Sequence, residues 1–354
     1  MHSRELVCRV FEGLEVPRIP LHVESDSKEE EAALGDVVGV GAKFREWRSF
    51  YEAGGPFARR SGEKLLEWAD RVEVDSYDWP DVSEVVDEGV KSFESRAREH
   101  SGTKFIIYKV LGPTETAESF FAEGVRERRL EGQVLHRYGF AVFLKLRPER
   151  AAAIYDKIAE YVLELAKAGA ELDYVDAVRI ADDCASYGGP LYPPEFLEEK
   201  YARWHEEFAR AVERRGKYPV LHCDGDLRKV GIAGHLSRVY RGLHPLDLSP
   251  KSTLKDALEW VEAVAEFRER AGEAVFFTGL PVDLIFEDSV GVEEFAKVPG
   301  KLLELHGPEG IVLATTHSPY PGRSYGEPLP RRKIERIREI AWSTPSRSPR
   351  PTRP

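Results

Sequence analysis

The chain is expected to fold as an α/β protein, a (β/α)8 TIM barrel with a helical extension at its amino end. Three observations predict this. Short apolar runs alternate with longer amphipathic segments through most of the 354 residues, a rhythm that implies parallel strands joined by right-handed crossovers. Eight such runs are found when Ile19–His22 is taken first and one of the segments near 38 or 73 second. That number and the length suit a barrel of roughly 250 residues with insertions. Most runs also end abruptly in His, Asp, Glu or Gly, as barrel strands do where they meet the functional rim. An open doubly wound sheet is the alternative arrangement.

Residues 3–12 predict a first helix, with Leu6, Val7, Val10 and Phe11 on one face. Val16–His22 is extended, because Pro17 and Pro20 bias their neighbours away from helix. A charged helix is expected over 28–34 and a strand over Val37–Val40. Gly39 and Gly41 lack the third glycine and the following helix of a dinucleotide fingerprint, so a packing role is expected there. Trp47–Phe57 reads as an irregular aromatic segment, a lid over the site. Helices follow over 63–69 and Ser83–Arg98. The strand Lys104–Leu111 leads into Gly112-Pro113-Thr114, which caps a helix to about Arg129. Further helices are expected over Arg150–Ala168, Pro194–Arg215, 227–237, Thr253–Arg270, Val292–Leu305 and Arg331–Ala341. Strands are expected over Tyr174–Ala181, Tyr218–Leu221, Val239–His244, Ala274–Thr278 and Ile311–Thr316. Residues 1–342 thus form one barrel domain. Residues 343–354, rich in Pro, Ser and Arg, form a disordered tail.

Composition narrows the partners. Apolar residues make up 42% and charged residues 32%, with 51 Lys+Arg against 62 Asp+Glu and a net charge of -11. A nucleic-acid partner needs a basic face, which this balance does not provide. No run approaches the roughly 20 apolar residues of a membrane span. The three cysteines, Cys8, Cys184 and Cys223, are widely spaced. They outline no disulfide framework, and a reducing, cytoplasmic compartment is expected. The partner expected is a small molecule.

Function is read from the strand ends. In chain order these carry His22 and Glu24, then Gly112 to Glu115, Asp182 and Asp183, His222 to Asp224, His244, Thr278-Gly279 and His317. A barrel would gather them on one rim. The strongest cluster is Lys217–Asp226, where a histidine, a thiol and two carboxylates follow one apolar run. His222, Asp224 and His317 are the candidate metal ligands, since two imidazoles and a carboxylate suit zinc with an open fourth position. As catalytic residues we expect Asp182, Asp183, His222 and His317. As substrate-binding residues we expect His22, Glu24, Glu115, Asp224 and His244. Asp182 and Asp183, being adjacent, face opposite ways along a strand. Cys223 alternates with His222 and points away from it into the core. Tyr187-Gly-Gly-Pro190 reads as a flexible loop over the site.

On these residues the chain resembles the uroporphyrinogen decarboxylase superfamily, whose members are (β/α)8 barrels. Arg18-Ile-Pro20 is similar to its amino-terminal Arg-(Ile/Val)-Pro segment, and Gly112–Gly124 to its Gly-Pro segment and following helix. Asp182-Asp183 with Pro190–Phe196 resembles its Asp-Asp block, LHCDGD its histidine-bearing strand end, and Thr316-His317 its late His- or Cys-bearing strand end. The resemblance implies two chemistries. The decarboxylases use neither metal nor cofactor and remove acetate carboxyls from a porphyrinogen. Under that reading Asp182 or Asp183 orients the substrate and His317 contacts its acid groups. The family's arginine-rich motif is missing, with Arg45 and Arg48 no clear replacement, and Phe120 stands where a Tyr is expected. The other branch comprises zinc-dependent methyltransferases that pass a methyl group from a corrinoid to a thiol. Their His-x-Cys and later Cys would fall on His222, Asp224 and His317. Decarboxylation is the first expectation and methyl transfer the second; a non-catalytic tetrapyrrole binder is the third. The resemblance also suggests a homodimer.

Overall fold

The computed structural model describes residues 1–124, 129–130, 133–134 and 139–345. Eight parallel strands build the sheet: β1 (Leu21–His22), β2 (Val37–Gly41), β3 (Phe105–Leu111), β4 (Ala177–Ala181), β5 (Tyr218–His222), β6 (Gly242–His244), β7 (Val275–Leu280) and β8 (Ile311–Thr315). They pair in the order β1-β8-β7-β6-β5-β4-β3-β2, so each strand lies beside its neighbour in sequence. The seam between β1 and β2 is bridged by Asp36. Its N–H donates to the Leu21 carbonyl at 2.6 Å, and its carboxylate accepts the Leu21 N–H at 2.9 Å. The sheet is a nearly closed (β/α)8 barrel, as the alternation of apolar runs and helices predicts.

Helices surround it: α1 (Ser3–Phe11), α2 (Lys28–Leu34), α3 (Val82–Ala97), α4 (Pro113–Phe121), α5 (Pro148–Glu171), α6 (Ala202–Glu213), α7 (Ala233–Val239), α8 (Leu254–Ala271), α9 (Val292–His306) and α10 (Pro328–Ser343). The helical extension α1 forms the barrel floor. Its face of Leu6, Val7, Val10 and Phe11 packs against Phe105, Val220, Val275 and Phe277 from inside the strands. The Phe11 ring stacks on Tyr218 at 4.2 Å and Phe105 at 5.7 Å. With one end of the barrel sealed by apolar surface, water reaches the interior from the other. That other end is where the strand termini lie level. Leu111, Ala181, His222 and His244 stand in register across β3 to β6.

Several segments depart from the sequence reading. Trp47–Phe57 is not an irregular lid. Residues Arg45–Ala53 are helical, and Trp47, Phe50 and Phe57 are buried in an aromatic cluster with Tyr77, Trp79 and Phe120. Amphipathic burial of two large rings outweighs the weak helix propensity of the stretch. The second strand is the one near 38; Val74–Ser76 is a single 3-10 turn. Helix α4 ends at Phe121, with Gly124 at φ 79° just beyond it, and residues 125–128 lie outside the described residues. The helix expected over 227–237 is two pieces, Leu227–Lys229 and α7. A helix at Gly139–Leu146 was not expected; Phe140, Phe143 and Leu144 do recur at helical spacing, but eight residues of mostly apolar sequence give too short a pattern to separate a helix from a buried strand. The tail beyond 345 lies outside the described residues.

Gly39 serves packing, whereas a Cβ on Gly41 would meet nothing closer than 3.9 Å. A Cβ on Gly39 would come within 3.2 Å of the Lys109 side chain, which crosses the barrel interior at this level. Gly169 in α5 gives a measurable case. A Cβ there would lie 2.3 Å from the Tyr108 ring of β3. In an exposed helix, Gly→Ala stabilises by up to about 1 kcal/mol. Here overpacking reverses the sign, and Gly169→Ala is expected to lose about 1–3 kcal/mol. Thermal unfolding of the variant checks it; a raised Tm would refute the close contact.

Candidate functional site

The site is built from the loops that follow β4, β5 and β8. At the end of β5 the chain turns sharply at Gly225, which has φ 85° and approaches the Ala185 carbonyl so closely that a Cβ would lie 2.4 Å from its oxygen. The turn leaves His222 at the strand terminus and Asp224 two residues on. His317 comes from the loop after β8. Its Nε2 lies 2.9 Å from Asp224 Oδ2, while His222 Nε2 lies 3.7 Å from Asp224 Oδ1. One donor atom from each of His222, Asp224 and His317 lies within 4.8 Å of the others.

Hydrogen bonding fixes which nitrogen of His222 faces this space. The buried His244 donates its Nε2–H to the Thr315 carbonyl at 3.0 Å. Its Nδ1 is therefore an acceptor, and His222 Nδ1 donates to it at 2.6 Å. The lone pair of His222 is left on Nε2, beside Asp224. Burial holds His222 down to about 3 and lowers His244 well below the ordinary imidazole value, so both rings are neutral. For Asp224, burial opposes ionisation, but attraction to His317 and its hydrogen bond hold it below the carboxylate range. Burial lowers His317, yet Asp224 beside it raises it above the ordinary imidazole value. Asp224 Oδ1 is buried and has no hydrogen-bond partner. A free lone pair, an orphaned carboxylate oxygen and a second imidazole fit a tetrahedral divalent ion with an open position. The His222–His244–Thr315 chain is the outer support that metal-bound imidazoles carry.

Beside the triad opens a cavity of about 600 Å³, lined by Glu115, Glu118, Asp183, Asp224 and Asp247. Asp183 accepts the Asp224 N–H at 2.7 Å; burial and the Asp224 charge push it up to about 8. Glu115 is raised well above the carboxylate range by burial and by Asp183. Glu118 is held by the N–H groups of Phe140 and Ala141 at 3.0 and 3.2 Å, yet burial lifts it to about 7. A carboxyl raised from 4.5 to about 7 binds more protons folded than unfolded between those pH values. The native state therefore loses stability as pH rises through that window, by up to about 3 kcal/mol. Glu118→Gln is accordingly expected to raise the melting temperature at pH 8 and to leave it nearly unchanged below pH 4.5. A variant destabilised equally at both pH values would contradict this.

The other residues expected at the rim lie elsewhere. His22 is fully buried inside the barrel, 3.0 Å from Glu31. Glu24 is also inside, held by Arg179 at 2.8 and 3.1 Å and by Lys109 at 2.7 Å. Asp182 is buried and turned away from Asp183. It accepts the Thr114 and Glu115 N–H groups at 2.8 and 3.0 Å, and His205 Nε2 lies 2.9 Å from it. It thereby fixes the start of α4, which carries Glu115. Cys223 is buried, its sulfur 3.8 Å from that of Cys184. Tyr187 and Gly188 form the turn of a small hairpin, with the Tyr187 hydroxyl 2.9 Å from Asp247. Arg18 pairs with Asp36, and Phe120 stacks on Trp79 away from the cavity. Lys109, Arg179, Glu118 and Lys251 were missed. The first two carried a signal: a charge in the middle of an apolar strand that faces a barrel interior requires a buried counter-charge.

No family model matches the chain, and no curated protein does. Among solved structures, it is similar to a B12-independent methionine synthase from Shewanella sp. W3-18-1 in complex with selenomethionine. Identity is 13%, coverage 75% of this chain and 67% of that one, and the TM-score 0.40. It is also similar to a GH27 β-L-arabinopyranosidase from Geobacillus stearothermophilus, at 13% identity, covering 76% of this chain and 61% of that one, with a TM-score of 0.32. Among the described residues no helix is long and apolar enough to cross a membrane.

Proposed function

We propose that the chain is a barrel enzyme acting on a small molecule, with a divalent ion such as zinc held by His222, Asp224 and His317. Its reaction, on this reading, is methyl transfer to a nucleophile such as a thiol. One observation carries it: donor atoms of His222 and Asp224 at the end of β5 and of His317 from the loop after β8 meet within 4.8 Å, with the His222 lone pair aimed among them. The three positions are those where the resemblance places the zinc ligands of the methyltransferase branch, with His222 matching in kind and Asp224 and His317 standing where that branch has cysteines. The ion, when bound, supplies Lewis acidity that lowers the pKa of a ligated nucleophile. The protein does the rest. His244 holds His222 in the ligating tautomer. Asp183 lines the cavity next to Asp224; its ionised form, which dominates above about pH 8, would take the proton that the thiol loses. As the S–C bond forms, the bond from methyl to its donor breaks and the donor keeps the electron pair. Metal analysis of purified protein tests the reading, with about one zinc per chain expected. No bound metal, and no uptake of added zinc, would end it.

A second reading, metal-free decarboxylation, is favoured by the raised carboxyls. Cleavage of a C–CO2 bond leaves an electron pair on carbon, and a protonated Asp183 or Glu115 could quench it. The cavity wall argues against a polyacid substrate, because carboxylates outnumber cations there. Failure to bind or convert uroporphyrinogen would remove this reading for the porphyrinogen substrate.

A further inference from the structure

Among the described residues, part of the charge of the cavity wall has no paired cation. Glu115, Glu118 and Asp183 line it, and among the described residues none of the three has a cationic partner. Asp247 is different, since the buried Lys251 pairs with it. Asp224 has His317. Arg48 is the one basic side chain among the described lining residues, and it is exposed at the mouth. The acids have been gathered at a cost. Three half-buried carboxyls in one space repel one another when ionised and pay desolvation besides. Backbone N–H groups hold two of them, Phe140 and Ala141 on Glu118 and Asp224 on Asp183, but such hydrogen bonds leave the negative charge without a counter-charge. Tyr51, Tyr187 and Tyr192 also line the wall, and aromatic rings attract cations, as the Lys251 ammonium 5.9 Å from the Tyr187 ring centre shows. Tyr192 is nearly fully buried, with its hydroxyl 3.4 Å from Glu118.

We infer that the substrate carries an ammonium-type cation, which this cavity binds between Glu115, Glu118 and Asp183 against the tyrosine rings. This rests on the proposed small-molecule enzyme reading and names its substrate class. The reacting end of the substrate then lies toward Asp224 and His317. A neutral ligand of the same shape would leave the acids unanswered, and an anion would add to the repulsion.

Three probes of nearly equal size test the inference: benzylammonium, benzyl alcohol and benzoate. Binding to full-length protein is measured by calorimetry, both zinc-loaded and metal-free. Benzylammonium is expected to bind at least about tenfold more tightly than benzyl alcohol in both forms, with benzoate weakest. Glu118→Gln and Glu115→Gln should each reduce that preference several-fold, with folding confirmed by near-UV circular dichroism. Equal affinity for the three probes, or tighter benzoate binding, overturns the inference, and so does a preference unchanged in both variants. Because the wild-type comparison is made without metal as well, a failed metal site leaves a separate signature, in metal content rather than in probe preference.

Discussion

Asp224→Ala is expected to empty the metal site and abolish turnover. Zinc content should fall from about one per chain to a small residual fraction, and activity by at least about 100-fold. Asp224 is the only carboxylate in the set, and it stands between the two imidazoles. Without it, two neutral nitrogens would face a dication with no compensating charge. Folding should be little affected. Asp224 Oδ1 has no partner to lose, and removing the charge relieves Asp183, which it helps to raise. His317, deprived of its counter-ion, should titrate lower than in the parent protein, which NMR of the ring protons can follow. Asp224→Ala retaining stoichiometric zinc would show that the ion, if any, is held elsewhere.

The second large effect concerns stability. Glu24→Ala is expected to destabilise the barrel by about 3–5 kcal/mol, the usual consequence of stranding buried charges. Arg179 and Lys109 both point at Glu24 inside the barrel, and the three side chains are nearly inaccessible. Burial opposes the Glu24 charge, but Arg179 and Lys109 hold its carboxyl well below the ordinary range. A carboxyl with a depressed folded value contributes stability above its unfolded value and loses it as pH falls through the folded one. The contribution is therefore complete at neutral pH and fades below about pH 4.5. Urea unfolding of Glu24→Ala and Glu24→Gln checks the prediction. Full stability with lost ligand binding would instead return Glu24 to the substrate-contacting role that its position after β1 suggested.

Why some residues were placed well from sequence and others poorly has a physical cause. Strands such as Phe105–Leu111 and Ile311–Thr315 are apolar runs between turn formers, and helices such as α5 and α8 repeat their apolar residues every three or four positions. Those patterns are local, so they are legible one segment at a time. The convergence of His222, Asp224 and His317 was also readable, since parallel strands of equal level deliver their carboxyl ends to one rim. Distinguishing that rim from the layer beneath it was not. His22, Glu24 and His244 end apolar runs just as His222 does, yet they lie within the barrel.

The residue pattern alone determined the alternation of strands and helices and the strand ends at which the polar groups collect, because both follow from periodicity and chain connectivity, while closure of the barrel and the choice of its second strand came from the structure. Only the tertiary structure decided depth and pairing. A difference of one or two residues in where a strand stops moves a side chain from cavity wall to interior, and its partner lies dozens to hundreds of residues away: Lys109 and Arg179 for Glu24, His244 for His222, His205 for Asp182. Coulomb attraction and desolvation depend on distances of a few ångströms between such residues, which short-range pattern does not carry.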